Sequence, residues 1–284
     1  MNKGYADLHL HTTASDGTLT PRELVLLAHR SGITTVSVTD HDTVAGIREA
    51  REALPDGMKL ISGVEFSCFY DGDEQFLLHI LGYGIDTRAE SIANAVNKGR
   101  EIRQKKHSLR LEYMKAVHGI EFTEEELSYF NTRFTVGKPH LAEVLVRRGM
   151  AGNIKEAIDK YMKSPDFPDG NIPASLAIEG ILGAGGIPVY AHSLGGECDA
   201  RLSYDEAEQR ILLMKDMGIR GLECYYSRYS ADDEKHLLSI AKRHGLLVSG
   251  GSDFHGKNKT VVLGELSREG VRVDCEKMSV LAIL

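Results

Sequence analysis

The sequence predicts an α/β protein: a distorted, TIM-like (β/α)7 barrel that carries a small, inserted, all-helical cap. Three observations predict it. Strand-like and helix-like segments alternate near both ends of the chain, as parallel strands joined by crossover helices require. The alternation stops between about Arg88 and Pro173, where only helical patterns occur. Side chains suited to holding metals close most of the strand-like runs, and barrels of parallel strands gather their chemistry at strand ends. The expected division is a barrel of residues 1–87 and 173–284 with an insertion of residues 88–172. An open doubly wound sheet is the alternative, but it would not readily collect groups from every strand.

Taken in order, Tyr5–Leu10 is a short alternating run and forms the first strand. Thr20-Pro21 supplies an N-cap and then a proline at the first helical position, which opens a helix over Pro21–Ser31. Ile33–Thr39 is β-branched and strand-like, and Val44–Leu54 is a helix stopped by Pro55. Leu60–Glu65 and Phe76–Gly82 are two more strands. The insertion reads as helices over Glu90–His118, Thr123–Phe130, Pro139–Arg148 and Asn153–Met162. Strands return at Gly186–Ala191, Gly221–Tyr226 and Leu246–Gly250, between helices over Ala174–Ala184, Tyr204–Met217 and Ala231–His244. Val261–Val273 reads as a short hairpin. Seven strands separated by helices imply parallel pairing throughout.

With 284 residues, 42% of them hydrophobic, the chain can build a large core. No stretch approaches the roughly 20 apolar residues that span a bilayer, and Met1-Asn2-Lys3-Gly4-Tyr5 runs into the first strand without a leader pattern. Cys68, Cys198, Cys224 and Cys275 show no CxxC spacing, so a reduced cytoplasmic protein is expected. A net charge of −7 argues against a generic nucleic-acid binder. The charge is uneven, however: the insertion is about +3 and the remainder about −10. Lys98, Arg100, Arg103, Lys105, Lys106, Arg110 and Lys115 face only Glu101 and Glu112, which fits either a solvated helix face or a lid over an anionic substrate.

The chemistry concentrates in nine side chains from six segments: His9, His11, Asp16, His41, Glu65, His79, His192, Asp253 and His255. His9 and His11 are two apart, so on a strand both point to one face. Asp16 follows in a Ser15-Asp16-Gly17 turn, and Asp253 and His255 repeat the two-residue spacing at the last strand. A carboxylate such as Glu65 can bridge two ions through its two oxygens. The other histidines, His29, His107, His118, His140, His236 and His244, all fall in or beside helical segments. Such sorting points to a polynuclear site whose imidazole and carboxylate ligands suit Zn²⁺, Mn²⁺ or Fe²⁺.

The set HxH…D…DH…E…H…H…DxH resembles the PHP family, named for polymerases and histidinol phosphatases, and the resemblance covers the whole chain. The insertion is similar to that of small stand-alone bacterial members, metal-dependent phosphoesterases acting on nucleotides or 5′ ends of short RNA. The resemblance implies three divalent ions (Mn, Fe or Zn). His9, His11, Glu65 and Asp253 would hold the first; Glu65, His79 and His192 the second; Asp16, His41 and His255 the third. Three ions and three carboxylates leave the site about +3, enough to attract a phosphate dianion within an acidic protein. Water bound there, acidified by the ions, is the expected nucleophile at phosphorus, and no glycine-rich phosphate loop is needed. Glu65, His192, Asp253 and Asp40 are the expected catalytic residues.

Other roles are expected around this centre. Asp40 and Asp42 flank His41, and one of them could orient its ring or a water. Asp7 points inward one layer deeper and needs a partner such as a ligand imidazole. Arg133, Lys138 and His140 precede or open a helix after Gly137 and are expected to bind a second phosphate or a nucleotide's far end. Tyr226 and Ser227, within Tyr225-Tyr226-Ser227-Arg228, offer base stacking or a phosphate contact. The leading reading is a phosphomonoesterase for AMP-like nucleotides or nucleoside 3′,5′-bisphosphates, extending to stepwise trimming of short single-stranded RNA from its 5′ end. Histidinol phosphate is an alternative substrate, and hydrolysis of a C–N bond an alternative chemistry. A binding module without turnover would be expected to have lost ligands. No membrane and no obligate protein partner are expected.

Overall fold

A computed structural model describes residues 4–131, 136–162, 171–196 and 200–284. Among these, nine helices surround a sheet of eight strands. Strands β1 (Tyr5–Leu10), β2 (Ile33–Val38) and β3 (Lys59–Tyr70) pair in parallel, with helices α1 (Pro21–Arg30) and α2 (Gly46–Glu52) crossing between them. α1 starts where expected, because Thr20 and Glu23 form a reciprocal capping box in front of Pro21. Its buried face, Leu24, Val25 and Ala28, packs beside Ile33, Val36 and Val38 of β2. On the far side of the sheet β6 (Ile187–Tyr190), β7 (Gly221–Tyr226) and β8 (Leu247–Gly251) are again parallel. They alternate with α7 (Ala174–Gly183), α8 (Tyr204–Asp216) and α9 (Ala231–His244).

The expectation of parallel pairing throughout fails at β4 (Asp73–Tyr83), which is antiparallel to both β3 and β6. Asp71 and Gly72 form a two-residue turn between β3 and β4, too short for the crossover that parallel neighbours need. The strand order is β1-β2-β3-β4-β6-β7-β8, with the two-residue β5 (Ile172–Pro173) paired to β3. Backbone hydrogen bonds also join the two ends of this order: His11 N–H donates to Phe254 at 3.0 Å, and Asp253 N–H to His9 at 2.9 Å. Gly251 allows that approach, since a Cβ there would collide with the backbone and Cβ of His9. The hairpin expected over Val261–Val273 is absent: no strand forms there, and the segment turns back through a Leu266 N–H to Val271 bond of 2.8 Å.

The insertion supplies α3 (Glu90–His118), α4 (Glu124–Asn131), α5 (Lys138–Arg147) and α6 (Ile154–Tyr161). α3 runs through two cores. Its Ile92 and Ala95 belong to the main core with α7, whereas Met114 joins Phe130, Leu141, Leu145 and Ala157 in a separate apolar cluster. One long helix thus links the main core to a second, wholly helical cluster. It stops at Gly119, whose φ of 65° closes the last turn in the left-handed conformation that glycine adopts without strain.

Candidate metal centre

Glu65 lies in the middle of β3, not at its end as the sequence suggests, because the alternation of buried Val64, Phe66 and Cys68 carries the strand on to Tyr70. Alternation turns Glu65 to the opposite face from Val64 and Phe66, and five imidazoles meet it there. Its Oε2 is 3.2 Å from His9 Nε2, 3.1 Å from His11 Nε2 and 3.1 Å from His41 Nδ1. Its Oε1 is 2.9 Å from His79 Nδ1 and 3.3 Å from His192 Nε2. The antiparallel β4 makes the His79 contact possible. His79 sits mid-strand, paired with Ser67, one pleat along from Glu65 on the same face.

Asp253 and Asp16 complete the cluster. Asp253 Oδ1 lies 3.6 Å from His9 Nε2 and 3.4 Å from His11 Nε2, and Asp16 Oδ1 lies 3.3 Å from His255 Nε2. All nine side chains singled out in the sequence therefore meet in one place. Their potential ligand atoms fall into three overlapping sets, each within 4.8 Å: His9, His11, Glu65 and Asp253; His11, Asp16, His41 and His255; His41, Glu65 and His79. His192 stands beside the third set through its contact with Glu65.

The donors fit divalent cations. His9 Nε2, both ring nitrogens of His11, His41 Nδ1 and Glu65 Oε2 are buried without a hydrogen-bond partner among the described residues. Such orphaned polar atoms are rare unless something else satisfies them. Burial alone would raise the carboxyls of Glu65, Asp16 and Asp253, but the surrounding imidazoles, and Lys259 in the case of Asp253, hold all three well below the usual range. They are thus anionic at neutral pH, as ligands of a cation would need to be. Backbone strain marks the same place: Asp42, His192 and Asp253, with φ of 51°, 28° and 59°, are the described non-glycine residues in the left-handed region.

The groups behind the cluster differ from expectation. Asp40 does not line the cavity. Its carboxylate accepts from Thr12 N–H at 2.7 Å, Thr12 Oγ1 at 2.7 Å and Ser15 Oγ at 2.6 Å, so it shapes the loop leading to Asp16 rather than touching His41 or a substrate. Asp42 accepts from Ser67 N–H at 3.1 Å and pairs with Arg103 of α3. Asp7 has no imidazole partner; Ser252 and the Gly264 N–H satisfy it, tying β1 to the segment after β8. Tyr226 is fully buried and donates its hydroxyl to Asp253 Oδ2 at 3.0 Å, which leaves no face for a base. Neither Tyr226 nor Ser227 lines the cavity.

Two functional residues were missed. Glu223 of β7 is fully buried, accepting His9 Nδ1 at 2.9 Å and the His192 N–H at 2.8 Å. It fixes which nitrogen of His9 faces the cluster and holds the strained His192 backbone. A lone acid inside the apolar run Gly221-Leu222-Glu223-Cys224 was the available signal. Lys259, in the loop after β8, places Nζ 2.6 Å from Asp253 Oδ2. Replacing Glu223 with glutamine is expected to weaken metal binding by about 10–100-fold, read by competition with a chelator. Unchanged affinity would exclude this orienting role.

The cluster floors a cavity of about 740 Å³. Arg103, Lys106 and Arg110, successive on one face of α3, line it with Lys138 of α5 and Lys155 of α6, whereas Lys98, Arg100, Lys105 and Lys115 are exposed. Of the expected substrate contacts, Lys138 reaches the cavity. His140 does not: it is buried, and its Nδ1 accepts the Gly137 N–H at 3.0 Å, capping α5. Arg133 lies outside the described residues.

A mixed α/β sheet with clustered imidazoles and carboxylates facing a cationic wall defines a metal-dependent phosphoesterase. The chain belongs to the PHP domain family, whose pattern matches residues 7–166. It is similar to the 5′-3′ exoribonuclease of Salmonella typhimurium, with 33% identity over 91% of this chain and 87% of that one. The 3′,5′-nucleoside bisphosphate phosphatase of Chromobacterium violaceum is 31% identical over 88% of this chain and 86% of its own. Among solved structures, a protein of Bifidobacterium adolescentis described as a candidate metal-dependent phosphoesterase superposes with a TM-score of 0.80. It is 32% identical, with 95% of this chain and 97% of that one covered. No described helix is long and apolar enough to cross a membrane.

Proposed function

We propose that the chain hydrolyses phosphomonoesters of small nucleotides, nucleoside 3′,5′-bisphosphates foremost, and removes 5′ nucleotides from short RNA. The observation that carries this reading is one cavity lined both by the metal donors and by cationic side chains of the helical segment. Lys106, Arg110 and Lys138 line it together with Asp16, Glu65, His79, His192 and Asp253, a lining suited to a substrate with more than one phosphate. A volume of about 740 Å³ falls in the range of small-ligand sites. The names of the two relatives above agree with both substrate types.

In this reading three divalent ions, Mn, Fe or Zn, occupy the three donor sets, with His192 joining Glu65 and His79. When bound, they acidify water and neutralise charge on the phosphoryl oxygens. The chain's own residues orient that chemistry: Glu223 and Tyr226 steady His9 and Asp253, and Asp40 shapes the Asp16 loop. In this reading the sheet is a closed, distorted barrel, supported by the bonds between the β1 and β8 ends, and residues 88–172 are the cap that supplies a second phosphate subsite. Location in the cytoplasm belongs to the same proposal, consistent with Cys68 and Cys224 as buried, unbridged thiols.

The test is phosphate release from AMP, adenosine 3′,5′-bisphosphate, histidinol phosphate and a 5′-phosphorylated oligoribonucleotide by metal-reconstituted protein. The bisphosphate is expected to be preferred. Changing Lys106 and Lys138 together to methionine is expected to raise its KM by about 10–100-fold, the scale of one or two lost charge-assisted contacts, while AMP changes little. Release from none of the four would discard the proposal, and equal effects on AMP and the bisphosphate would discard the subsite.

A further inference from the structure

Asp253 offers its two oxygens to different partners. Oδ1 faces His9, His11 and His255, at 3.6, 3.4 and 3.4 Å. Oδ2 is turned away and receives two donors, the Tyr226 hydroxyl at 3.0 Å and Lys259 Nζ at 2.6 Å. A carboxylate oxygen engaged by both a hydroxyl and an ammonium is a poor second ligand, so Asp253 can serve a cation through Oδ1 alone. Tyr226 would suffice for that task, since it is fully buried and rigidly packed between His192 and Tyr229. Lys259 differs from Tyr226 in one respect that matters: it lines the cavity beside Asp253, Asn258 and His255. Its side chain is 20% exposed and borders the cavity.

We infer that Lys259 is a substrate-binding residue that presents its ammonium to a phosphoryl oxygen of the bound substrate, tethered in place by Asp253 Oδ2. An ammonium has three donors. One is spent on Asp253, which leaves two for an anion. The tether removes most of the side-chain freedom that an unpaired surface lysine would lose on binding. Lys259 thus adds a cation beside Asp253 in the cavity that Lys106 and Lys138 also line. The inference rests on the phosphoesterase reading of the cavity but concerns binding, which can be measured without turnover.

The experiment titrates inorganic phosphate into metal-loaded protein by calorimetry, with metal content measured in parallel, for the wild type, Lys259→Met and Lys259→Arg. Methionine is expected to weaken phosphate binding by about tenfold, leaving metal content and melting temperature close to wild type because Tyr226 still holds Asp253. Arginine is expected to recover most of the affinity. In turnover assays methionine should raise KM for AMP and for the bisphosphate alike, in contrast to the cap variants. Phosphate affinity that is unchanged in both variants overturns the inference, even if bisphosphate is hydrolysed. So does a loss that merely follows a loss of metal, which would make Lys259 a support for Asp253 alone. Weakened phosphate binding in a protein that hydrolyses none of the nucleotides would sustain the inference and sink the substrate assignment.

Discussion

Replacing Glu65 with glutamine is expected to abolish phosphate release while leaving the chain folded. Glu65 is the hub of the site, with both oxygens within 3.3 Å of five imidazole nitrogens from four strands or strand ends. Glutamine keeps the volume and packing of this fully interior side chain, so the sheet loses no apolar contact. It removes one negative charge and one of two lone-pair-bearing oxygens, and so removes the group shared between neighbouring donor sets. A bridging carboxylate of this kind supports several kcal/mol of charge stabilisation through the ions it positions, equivalent to a loss on the order of a thousandfold or more in kcat/KM. The check is turnover beside far-UV circular dichroism and metal content. Retained turnover would rule out Glu65 as the shared ligand. Loss of turnover with full metal content would move its role from holding ions to orienting the reacting groups.

Much of this site could be read from the sequence because of how its ligands are arranged along the chain. His9 and His11 announce a shared face through their two-residue spacing, and each of the other cluster residues except Asp16, which follows in a turn, lies beside an apolar, strand-like run. Helix boundaries were legible where side chains cap them, as Thr20 and Glu23 do for α1 and Ser230 and Asp233 for α9. What stayed hidden depends on contacts between distant segments. Asp71-Gly72 is a hairpin dipeptide, yet alternation of strands with helices elsewhere suggested crossovers throughout, so the reversal at β4 was missed. The Val261–Val273 segment has strand-forming residues, but it meets β1 and the loop after β7 through scattered bonds such as Arg268 N–H to Tyr229 O and Ala6 N–H to Val273 O, which leave no ladder of its own. Glu223 and Lys259 carry no local pattern. Their roles exist because β7 and the loop after β8 are folded against His9 and Asp253. Tyr226 and His140 erred in the other direction, since composition suggested exposure at the rim and packing turned both inward.

Stripping the metals is expected to lower the melting temperature by roughly 10 °C at neutral pH, and by more at alkaline pH. Ions that bind only the folded chain stabilise it by about 4 kcal/mol when present at a thousand times their dissociation constant. For a chain of this size that corresponds to roughly 2–4 °C per kcal/mol. The pH dependence follows from what compensates the buried carboxylates once the ions are gone. Burial works against an imidazolium at His11, but the carboxylates of Asp253 and Glu65, 3.4 and 3.1 Å from its Nε2, outweigh it and raise the ring to about 9. His9 moves up as well: burial lowers it, and Glu65, Glu223 and Asp253 more than reverse this. A histidine raised in the folded state gives stability that is complete below its ordinary pKa of about 6.5 and is lost as pH climbs through the folded value. In the metal-free protein, protons thus stand in for cations, and the stability they give falls as pH climbs from about 6.5 toward the raised value of about 9 at His11. The loaded protein keeps its counter-charge throughout, because the ions have displaced those protons. The gap in melting temperature between manganese-loaded and chelated samples should therefore widen from pH 6.5 to pH 9, and it should shrink markedly in Glu65→Gln. A gap that is constant or narrows over that range would mean that His9 and His11 do not exchange protons for metal. The convergence of imidazoles on Glu65 would then need another explanation.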